Sequence, residues 1–501
     1  MSRAPLGVDL QATFNLVGSL IKYLGLAPLV PAAIAIGYDE SPWPFVIAAG
    51  IAFGSGWALE RVTSGKTQVG IREGFLVVSV TWLLAATVGA LPYWLADEPQ
   101  FATPLDAYFE GMSGFTTTGA TVLTDIEGIS HSLARWRQLT QWLGGMGIIV
   151  LALAVLPRLK VGGRQLLETE LPGPEIEKLT LRIRDIAQRL WLLYVVLTAI
   201  EIAVLTGFAW TGIDAAMSFY EAVALSFATI PTGGFSTQNR SVEGFGAASQ
   251  WAIVFFMLVA GANFAMLYRA LARRQPRALS RDEEFRLYLL LAGVASVVLL
   301  VELWAEGFFR GEEAFRHSVF TAVSTMTTTG FATTDFNQWT LFATVVIVAL
   351  MFTGGQAGST TGSVKIVRHL LLGRILKREL DQTVHPEVVS RVRLNGRPVD
   401  ERTLRAITSF ILLYVGVFAV GALLLVLDAA RTDLDLRLLD AIAASAATLG
   451  NGGSAFGFAG PMGSFEPFSN LSKGVMIVLM WVGRLEIIPV AVLLTRNYWR
   501  V

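Results

Sequence analysis

The feature that most constrains this chain is a series of apolar runs, each about long enough to cross a lipid bilayer. A spanning helix needs about 20 residues, and such runs cover residues 75–95, 190–210, 251–271, 287–304 and 407–427. Only 16% of the 501 residues are charged and 53% are hydrophobic, whereas a soluble globular chain carries about 25% charged residues. The sequence therefore predicts an all-α integral membrane protein.

Two further apolar runs, residues 14–36 and 45–59, come first and have no glycine-rich turn between them. The first 26 residues lack a short apolar core followed by a small-residue cleavage site, so we interpret this segment as a retained membrane helix rather than a signal peptide. The absence of cysteine excludes disulfides, thiolate metal sites and cysteine nucleophiles. A net charge of zero gives no indication of a nucleic-acid partner.

The charges between the apolar runs predict the orientation of the chain. Basic residues concentrate in segments 158–164, 269–277 and 365–405 and in the tail at Arg496 and Arg500. Acidic residues concentrate in the alternate segments 97–98, 306–313 and 433–435. Because loops rich in Lys and Arg remain on the cytoplasmic side, we expect the basic segments and the C-terminus in the cytoplasm and the acidic segments outside.

Four short segments repeat one pattern, in which about a dozen mostly apolar residues end in a turn rich in Thr or Asn and glycine. They cover residues 106–121, 220–236, 317–333 and 440–455. Aligned on glycine, their key positions are Gly119, Gly233, Gly330 and Gly453. An apolar run precedes and follows each segment, and the segments are too short to span. They are therefore predicted to be re-entrant helices that enter from outside and return.

The pattern predicts four repeats of helix, re-entrant pore helix and helix around a pseudo-fourfold pore, preceded by an extra N-terminal helix pair. This gives about ten spanning helices and four re-entrant ones. The expected boundaries are 1–70 for the helix pair and 71–165, 166–280, 281–400 and 401–501 for the repeats.

Four polar turns at membrane depth indicate an ion pathway, because non-helical backbone is tolerated there only when it is buried in protein or lines a wet cavity. Glycine permits backbone angles that turn carbonyl groups toward an axis, and rings of carbonyls replace the hydration shell of a cation in potassium filters. The C-terminal ends of the pore helices would favour a cation at the same point. The alternative is that these are packing glycines of ordinary membrane helices; four turns in phase, each beside Thr, Ser or Asn, favour the pathway.

The motifs SGFTTTGAT, ATIPTGGFST, STMTTTGFATTDF and ATLGNGGSAFG, with TGGQAGSTTGSVKI and GRLEIIPV, resemble those of the Trk/Ktr/HKT superfamily of potassium transporters. The resemblance covers nearly the whole chain, and the extra helix pair makes the TrkH/TrkG/TrkI type the closest. It implies a channel-like K⁺ uptake subunit of a bacterial inner membrane that forms a homodimer with one pore in each protomer. It also implies a cytosolic TrkA-type regulatory ring that carries the nucleotide (ATP or NAD), with no cofactor in this chain.

The candidate filter residues for K⁺ are the aligned glycine of each turn and the two residues before it. They are Thr117, Thr118, Gly119, Pro231, Thr232, Gly233, Thr328, Thr329, Gly330, Asn451, Gly452 and Gly453. The fourth turn has no Thr-Gly pair, so both of its last glycines remain candidates. Within the superfamily, glycine in all four turns implies K⁺ preference and serine in the first implies Na⁺ permeation. The glycine of the first turn therefore predicts K⁺.

A glycine-rich stretch interrupts the apolar run after the third turn, at residues 353–363. Its candidate gating residues are Gly354, Gly355, Gln356, Gly358 and Gly362. Because each glycine costs a helix roughly 1 kcal/mol, we expect an irregular loop below the filter that could plug the cavity, and the resemblance also implies gating. A kink or a close helix crossing is the alternative. A phosphate-binding loop is disfavoured, because the stretch lacks Gly-Lys-Ser/Thr and follows no strand.

Arg484 lies within the last apolar run, where placing a charged side chain in the membrane costs free energy and therefore indicates a functional role. We expect it to face the pore below the filter and repel cations as part of the gate; a structural ion pair with another helix is the alternative. Glu486 is close in sequence, but residues two apart on a helix point in different directions. Lys365, at the end of the glycine-rich stretch, is predicted to be a cytoplasmic anchor.

Acidic residues and catalytic motifs in the sequence bear on functions other than a channel. A K⁺ symporter coupled to H⁺ or Na⁺ would show carboxylates buried in mid-helix, whereas Glu201 is predicted near a helix start, and Glu110 and Glu221 are predicted packing or hydrogen-bonding groups of the pore helices. An enzyme is disfavoured, because the chain has four histidines, no cysteine and no HExxH or GxSxG motif. A receptor or scaffold would not explain four filter-like turns.

Overall fold

A computed structural model of the protein describes residues 7–64, 70–154, 176–387 and 390–500. The basic segment 158–164, used above to predict orientation, lies outside the described residues.

Three helices precede the first repeat: α1 (Leu10–Leu24), α2 (Leu29–Gly37) and α3 (Trp43–Val62). α1 and α3 cross closely at Gly18 and Gly56, because a Cβ atom on either glycine would lie 2.8 or 2.7 Å from the carbonyl oxygen of the other. Small residues allow such close approach of membrane helices. The predicted N-terminal pair is present, with its first member divided between α1 and α2.

The first two repeats follow in chain order. The first comprises α4 (Ile71–Leu95), α5 (Pro104–Phe115) and α6 (His131–Ala154), and the second α7 (Ile176–Thr211), α8 (Phe219–Thr229), α9 (Ala247–Ala260) and α10 (Phe264–Ala272). In each repeat we call the helix before the pore helix the outer helix and the one after it the inner helix. The inner helix of the second repeat is bent by 105° between α9 and α10.

The third repeat follows the short helix α11 (Arg277–Arg281) and comprises α12 (Glu283–Ala305), α13 (Gly311–Met326), α14 (Leu341–Met351) and α15 (Ile366–Val384). A two-stranded antiparallel hairpin, β1 (Arg393–Leu394) and β2 (Arg397–Pro398), leads to the fourth. That repeat comprises α16 (Glu401–Thr432), α17 (Leu438–Leu449) and α18 (Asn470–Arg484), followed by α19 (Ile488–Leu493) and α20 (Arg496–Trp499). The predicted all-α class with four helix–pore helix–helix units is confirmed.

The pore helices α5, α8, α13 and α17 have 12, 11, 16 and 12 residues. At 1.5 Å per residue even the longest reaches only about 24 Å, less than the ~30 Å of the hydrocarbon core. α5 begins with a reciprocal cap, in which the Thr103 hydroxyl accepts from the Asp106 amide (3.3 Å) and the Asp106 carboxylate accepts from the Thr103 amide (3.0 Å). Nine of the 12 residues of α5 and of α17 are buried, so these helices lie in the protein interior.

Six spans among the described residues are long and apolar enough to cross a membrane, with α1 and α2 counted as one, or seven if α9 and α10 also count as one bent span. The six cover Leu10–Gly37, Trp43–Val62, Arg72–Leu95, Asp185–Thr211, Glu283–Ala305 and Glu401–Thr432. The sequence predicted about ten. The difference lies in the helices that follow the pore helices: α6 is not among the six, α9 and α10 form a bent pair, and α14 and α18 have only 11 and 15 residues. The chain is a multi-pass membrane protein.

Candidate functional site

Each pore helix is followed by a turn that contains the same backbone hydrogen bond. In each turn the amide of one residue donates to the carbonyl oxygen five positions earlier, at 2.8–2.9 Å. The four donors are Thr118, Gly233, Thr329 and Gly452. They therefore occupy equivalent positions in the four repeats.

The backbone angles on either side of these donors repeat as well. The preceding residues are left-handed, with φ between 51° and 55°: Thr117, Thr232, Thr328 and Asn451. The following residues are left-handed glycines with φ between 74° and 85°: Gly119, Gly234, Gly330 and Gly453. Each turn is thus a three-residue unit of left-handed residue, donor and left-handed glycine.

This pattern corrects the sequence alignment of the second turn. Gly234, not Gly233, occupies the position of Gly119, and Pro231 falls one residue outside the unit 232–234. A Gly-Gly pair can be aligned in two ways, and the alignment on Gly233 is wrong by one residue.

A signal for the correct register was present in the sequence. The pair Gly234-Phe235 matches Gly330-Phe331 of the third repeat, and aligning on it would have placed the second turn correctly. In the fourth turn, the alignment on Gly453 agrees with the backbone pattern.

The four left-handed glycines close a ring. A Cβ atom built on each would lie within 2.5 Å of the donor residue's carbonyl oxygen in the next turn. The pairs, in order around the ring, are Gly119 with Gly233, Gly234 with Thr329, Gly330 with Gly452 and Gly453 with Thr118. The turns therefore meet in the cyclic order of the repeats, with a carbonyl group at every junction, and a side chain at any of the four glycines would collide with the neighbouring turn.

Three of the left-handed residues that precede the donors are threonines, Thr117, Thr232 and Thr328, and each is at most 1% exposed. A β-branched residue in this conformation is a genuine outlier, and such strain costs of order 1–3 kcal/mol and is concentrated at functional sites. The same strain at the same place in three repeats indicates that the turn geometry serves a function.

A cavity of about 50 Å³ opens on one side of the ring and is lined by all four left-handed glycines together with Arg137. Among the described residues, no group of three or more His, Asp or Glu side chains is arranged to hold a metal ion. The oxygen atoms that the four turns place against the ring glycines are backbone carbonyl oxygens.

Hydroxyl pairs support the first and third turns from behind. Thr116 and Thr118 form one pair and Thr327 and Thr329 the other, each with 2.8 Å between the oxygens. In the fourth turn, Asn451 donates to the Thr118 hydroxyl at 3.0 Å. That bond joins the last repeat to the first.

A buried ion pair connects the stretches that follow the first two turns. Arg137 Nε lies 2.8 Å from Glu110 Oε1, and both side chains are fully buried. Glu110 also accepts from the Thr121 hydroxyl (2.9 Å) and the Val122 amide (3.1 Å), and Arg137 Nη1 donates to the Ser236 carbonyl (3.1 Å). Glu110 is thus a hydrogen-bonding group, as the sequence predicted, but Arg137 was missed.

A second buried pair was also missed. Lys473 Nζ lies 2.6 Å from Asp106 Oδ1, and the two side chains are 6% and 5% exposed. The pair joins α18 to the start of α5. A lysine inside the run NLSKGVMIVLMW was the available signal, because a buried lysine requires a partner.

The glycine-rich stretch of the third repeat is a non-helical loop between α14 and α15, as predicted. The Gly354 amide donates to the Val364 carbonyl (2.9 Å) and the Gly355 amide to the Thr361 hydroxyl (2.9 Å), so the loop folds back on itself. The Gly362 amide donates to the hydroxyl of Thr328 (2.8 Å), which brings the loop against the third turn.

The loop also contacts the bend between α9 and α10. The Gln356 amide donates to the Gly261 carbonyl (2.9 Å), and the Gln356 side chain accepts from the Asn263 amide (3.0 Å). The Gly358 carbonyl, in turn, accepts from the Phe264 amide (3.1 Å). The non-helical segments that interrupt the inner helices of the second and third repeats are therefore hydrogen-bonded to each other.

Arg484, the last residue of α18, is 2% exposed and points at the same loop. Its Nη1 donates to the Thr360 carbonyl (3.0 Å) and its Nη2 to the Gly144 carbonyl (3.3 Å). Among the described residues no carboxylate pairs with it, and Glu486 pairs instead with Arg368. The contacts of Arg484 are thus with loop and helix carbonyls rather than with an acid.

The prediction that Lys365 is a cytoplasmic anchor is wrong. This side chain is 7% exposed, and its Nζ donates to the carbonyl and hydroxyl oxygens of Thr361. Glu284, which was not among the predicted residues, accepts from the Ala357 amide (2.7 Å) and the Val367 amide (3.1 Å). Both charged residues therefore belong to the support of the loop.

The prediction that Glu201 lies near a helix start is also wrong. Glu201 is fully buried well inside α7, beside Thr229 of α8. The Thr229 hydroxyl donates to the Leu225 carbonyl (2.8 Å), and the carboxyl oxygens of Glu201 have no hydrogen-bond partner among the described residues. Glu221, by contrast, accepts a hydrogen bond from Thr237, as expected for a hydrogen-bonding group of a pore helix.

Comparison with known proteins shows which family, relatives and solved structure this chain is similar to. Residues 46–500 match the family model described as TrkH, cation transport protein. The Trk system potassium uptake protein TrkH of Escherichia coli K12 is 36% identical over 98% of this chain and 99% of its own length, and TrkG of the same strain is 34% identical over 97% and 98%. The crystal structure of the potassium transporter TrkH from Vibrio parahaemolyticus superimposes with a TM-score of 0.88 at 33% identity, covering 98% of this chain and all of that one.

Proposed function

Because the chain belongs to the TrkH family of cation transport proteins, we propose that it takes up K⁺ through the ring formed by its four turns. The observation that carries this proposal is the closed ring of left-handed glycines, each against a carbonyl oxygen of the next turn. Relatives named as potassium uptake proteins over nearly their full length support K⁺ as the ion. The family is one of transporters and not of enzymes.

The filter in this proposal consists of units 117–119, 232–234, 328–330 and 451–453. Carbonyl oxygens at its junctions replace the hydration shell of K⁺, and the four pore helices direct their negative C-terminal ends toward it. Gly234 takes the place that the sequence alignment gave to Gly233. Glycine at all four key positions favours K⁺ over Na⁺.

The gate in this proposal is the loop 353–363 together with Arg484. The loop lies against the third turn through Gly362 and Thr328, and Arg484 holds it through the Thr360 carbonyl. A permanently charged guanidinium next to the pathway opposes a cation. Release of the loop and displacement of Arg484 would therefore open the pore together.

The physiological setting is part of the same proposal. The filter faces outward and the C-terminus lies in the cytoplasm of a bacterium, because the basic segments follow the positive-inside rule. Two copies form a homodimer in the inner membrane, and a cytosolic TrkA-type ring that binds ATP or NAD controls the gate. The family resemblance supports both partners.

A K⁺ symporter driven by H⁺ or Na⁺ is a second candidate, which Glu201 favours. A fully buried carboxyl group in mid-helix without a partner among the described residues is the feature expected of a proton-coupled transporter. Glu201 lies beside Thr229 of pore helix α8 and not at the ring. This position favours a channel over a symporter.

Uptake of ⁸⁶Rb⁺ by the purified protein in liposomes tests the proposal. We expect uptake that K⁺ competes with strongly and Na⁺ and Li⁺ weakly, driven by the Rb⁺ gradient alone. Uptake that requires an imposed pH or Na⁺ gradient would establish the symporter instead, and equal competition by all three ions would contradict a K⁺ filter.

A further inference from the structure

Gln141 in α6 contacts the second turn from behind with both ends of its side-chain amide. Its Nε2 donates to the Gly233 carbonyl at 2.6 Å, and its Oε1 accepts from the Phe235 amide at 3.1 Å. The side chain is fully buried. It therefore brackets Gly234, the left-handed glycine of this turn, although Gln141 belongs to the first repeat and the turn to the second.

The other repeats show what this side chain replaces. At the donor position the first and third turns carry Thr118 and Thr329, whose hydroxyls form the pairs that support those turns. The second turn has Gly233 there, and a Cβ atom on it would lie 2.5 Å from Gln141 Cδ. Gln141 thus occupies the volume that a threonine side chain fills elsewhere in the ring.

The fourth turn provides a comparison within the molecule. It also has a glycine at the donor position, Gly452, but a Cβ atom there would have no neighbour closer than 3.9 Å. The space beside the donor glycine is therefore filled by Gln141 in the second turn and is open in the fourth. A glycine at this position does not by itself bring a side chain against the turn.

The neighbouring residue Arg137 restrains the backbone just beyond the same turn. It donates to the Ser236 carbonyl, its guanidinium lies 4.1 Å from the centre of the Phe235 ring, and Glu110 holds it in place. The second turn is thus fixed on both sides of Gly234 by one face of α6.

We propose that Gln141 is a positioning residue that determines ion specificity, by holding the Gly233 carbonyl at the ring. This inference rests on the proposed K⁺ filter. Discrimination between K⁺ and Na⁺ depends on the number and field strength of carbonyl dipoles and on how far they can move toward a smaller ion. An amide donor at 2.6 Å withdraws negative charge from that oxygen and restrains it, so losing the donor favours Na⁺.

The test is competition of K⁺ and Na⁺ for ⁸⁶Rb⁺ uptake in liposomes by Gln141→Met, which keeps the length of the side chain and removes its amide. We expect the K⁺/Na⁺ discrimination ratio to fall roughly fivefold, the effect of one net hydrogen bond, while Rb⁺ uptake per folded protein persists. Gln138→Met is the matched control, since Gln138 is also fully buried on α6 but has no hydrogen-bond partner among the described residues.

A second pair of variants keeps the test decisive if Gln141→Met does not fold. Gly233→Thr alone should lose uptake because its side chain collides with Gln141. Gly233→Thr combined with Gln141→Ala should regain uptake, because the collision is removed, but at a lowered K⁺/Na⁺ ratio, because the amide donor to the Gly233 carbonyl is removed as well. A double variant that takes up Rb⁺ at the wild-type ratio would overturn the inference.

Gly119→Ser separates failure of the inference from failure of the filter. If Gly119→Ser changes the discrimination ratio while Gln141→Met matches both Gln138→Met and wild type, Gln141 has no role in specificity and the filter stands. If Gly119→Ser, Gly234→Ser and Gly330→Ser all leave the ratio unchanged as well, the filter itself is misassigned and the inference fails with it.

Discussion

The left-handed glycines of the ring have two separate reasons to be glycine. Their φ angles, 74–85°, are ones that residues with a side chain rarely adopt. In addition, a Cβ atom at any of them would overlap a carbonyl oxygen of the next turn. Either reason alone would disfavour substitution, and together they predict that any substitution displaces a carbonyl group of the ring.

Gly119→Ser, Gly234→Ser and Gly330→Ser should each weaken discrimination against Na⁺. The added side chain pushes aside a neighbouring carbonyl, and the misfit disturbs the geometry on which K⁺ coordination depends. We expect at least a tenfold loss of the K⁺/Na⁺ ratio in the liposome assay, corresponding to about 1.4 kcal/mol. Wild-type competition in all three variants would show that the ring is not the filter.

Arg484→Met should raise ion flux without the regulatory partner, because it removes the charge and both hydrogen bonds to carbonyl groups. Two unit charges about 4 Å apart repel by roughly 4 kcal/mol at an effective dielectric of 20, which sets an upper limit of about a thousandfold. Water and nearby groups reduce the effect, so we expect a several-fold rise.

Arg484→Lys is the matched control for this prediction. It keeps the charge and loses the forked donor geometry, so low basal flux in this variant assigns the barrier to charge, and high flux assigns it to the contacts with the loop. A folded Arg484→Met protein with equal or lower flux would remove Arg484 from the gate.

The predictions that were wrong concern single residues, for physical reasons. The glycines alone could not distinguish Gly233 from Gly234, because a Gly-Gly pair fits the left-handed angle in two registers; only the Gly-Phe pair shared with the third repeat identifies the correct one. Lys365 was misplaced because its burial depends on how residues 353–363 fold into a loop, and Glu201 because α8, a later element of the chain, packs beside it. Neither the folding of a loop nor the packing of another helix leaves a local sequence pattern.

At the scale of elements, the inner helices of the second and third repeats are broken, and their breaks interlock. The glycine content of residues 353–363 was sufficient to predict the loop, since a helix loses stability with each glycine. It was not sufficient to predict that the loop binds Gly261 and Asn263 at the α9–α10 bend. That contact depends on how two repeats pack.

Deletion of residues 357–359 should raise basal Rb⁺ flux by several-fold. It shortens the loop and removes the Gly358 contact with Phe264, along with the Ala357 contacts with Asn263 and Glu284. The K⁺/Na⁺ ratio serves as the internal control and should stay at the wild-type value, because the turns are intact. Unchanged or abolished flux in a folded variant would indicate a structural kink rather than a plug.

At the scale of the whole molecule, internal repetition was the most informative property of the sequence. Four segments in phase predicted four pore helices, and these occur with the expected outer and inner helices. The order in which the turns meet could not be read from the repeats, because it is set by contacts such as that between Asn451 and Thr118, which joins the last repeat to the first.

The central claim is that the four turns form one cation site from backbone oxygens. Anomalous diffraction at the rubidium edge from crystals of the protein grown in RbCl tests it directly. We predict a peak on the axis of the ring, about equally distant from the carbonyl oxygens of Thr118, Gly233, Thr329 and Gly452, and its loss in crystals grown in NaCl. Rb⁺ density elsewhere in the protein, with none at the ring, would contradict the account.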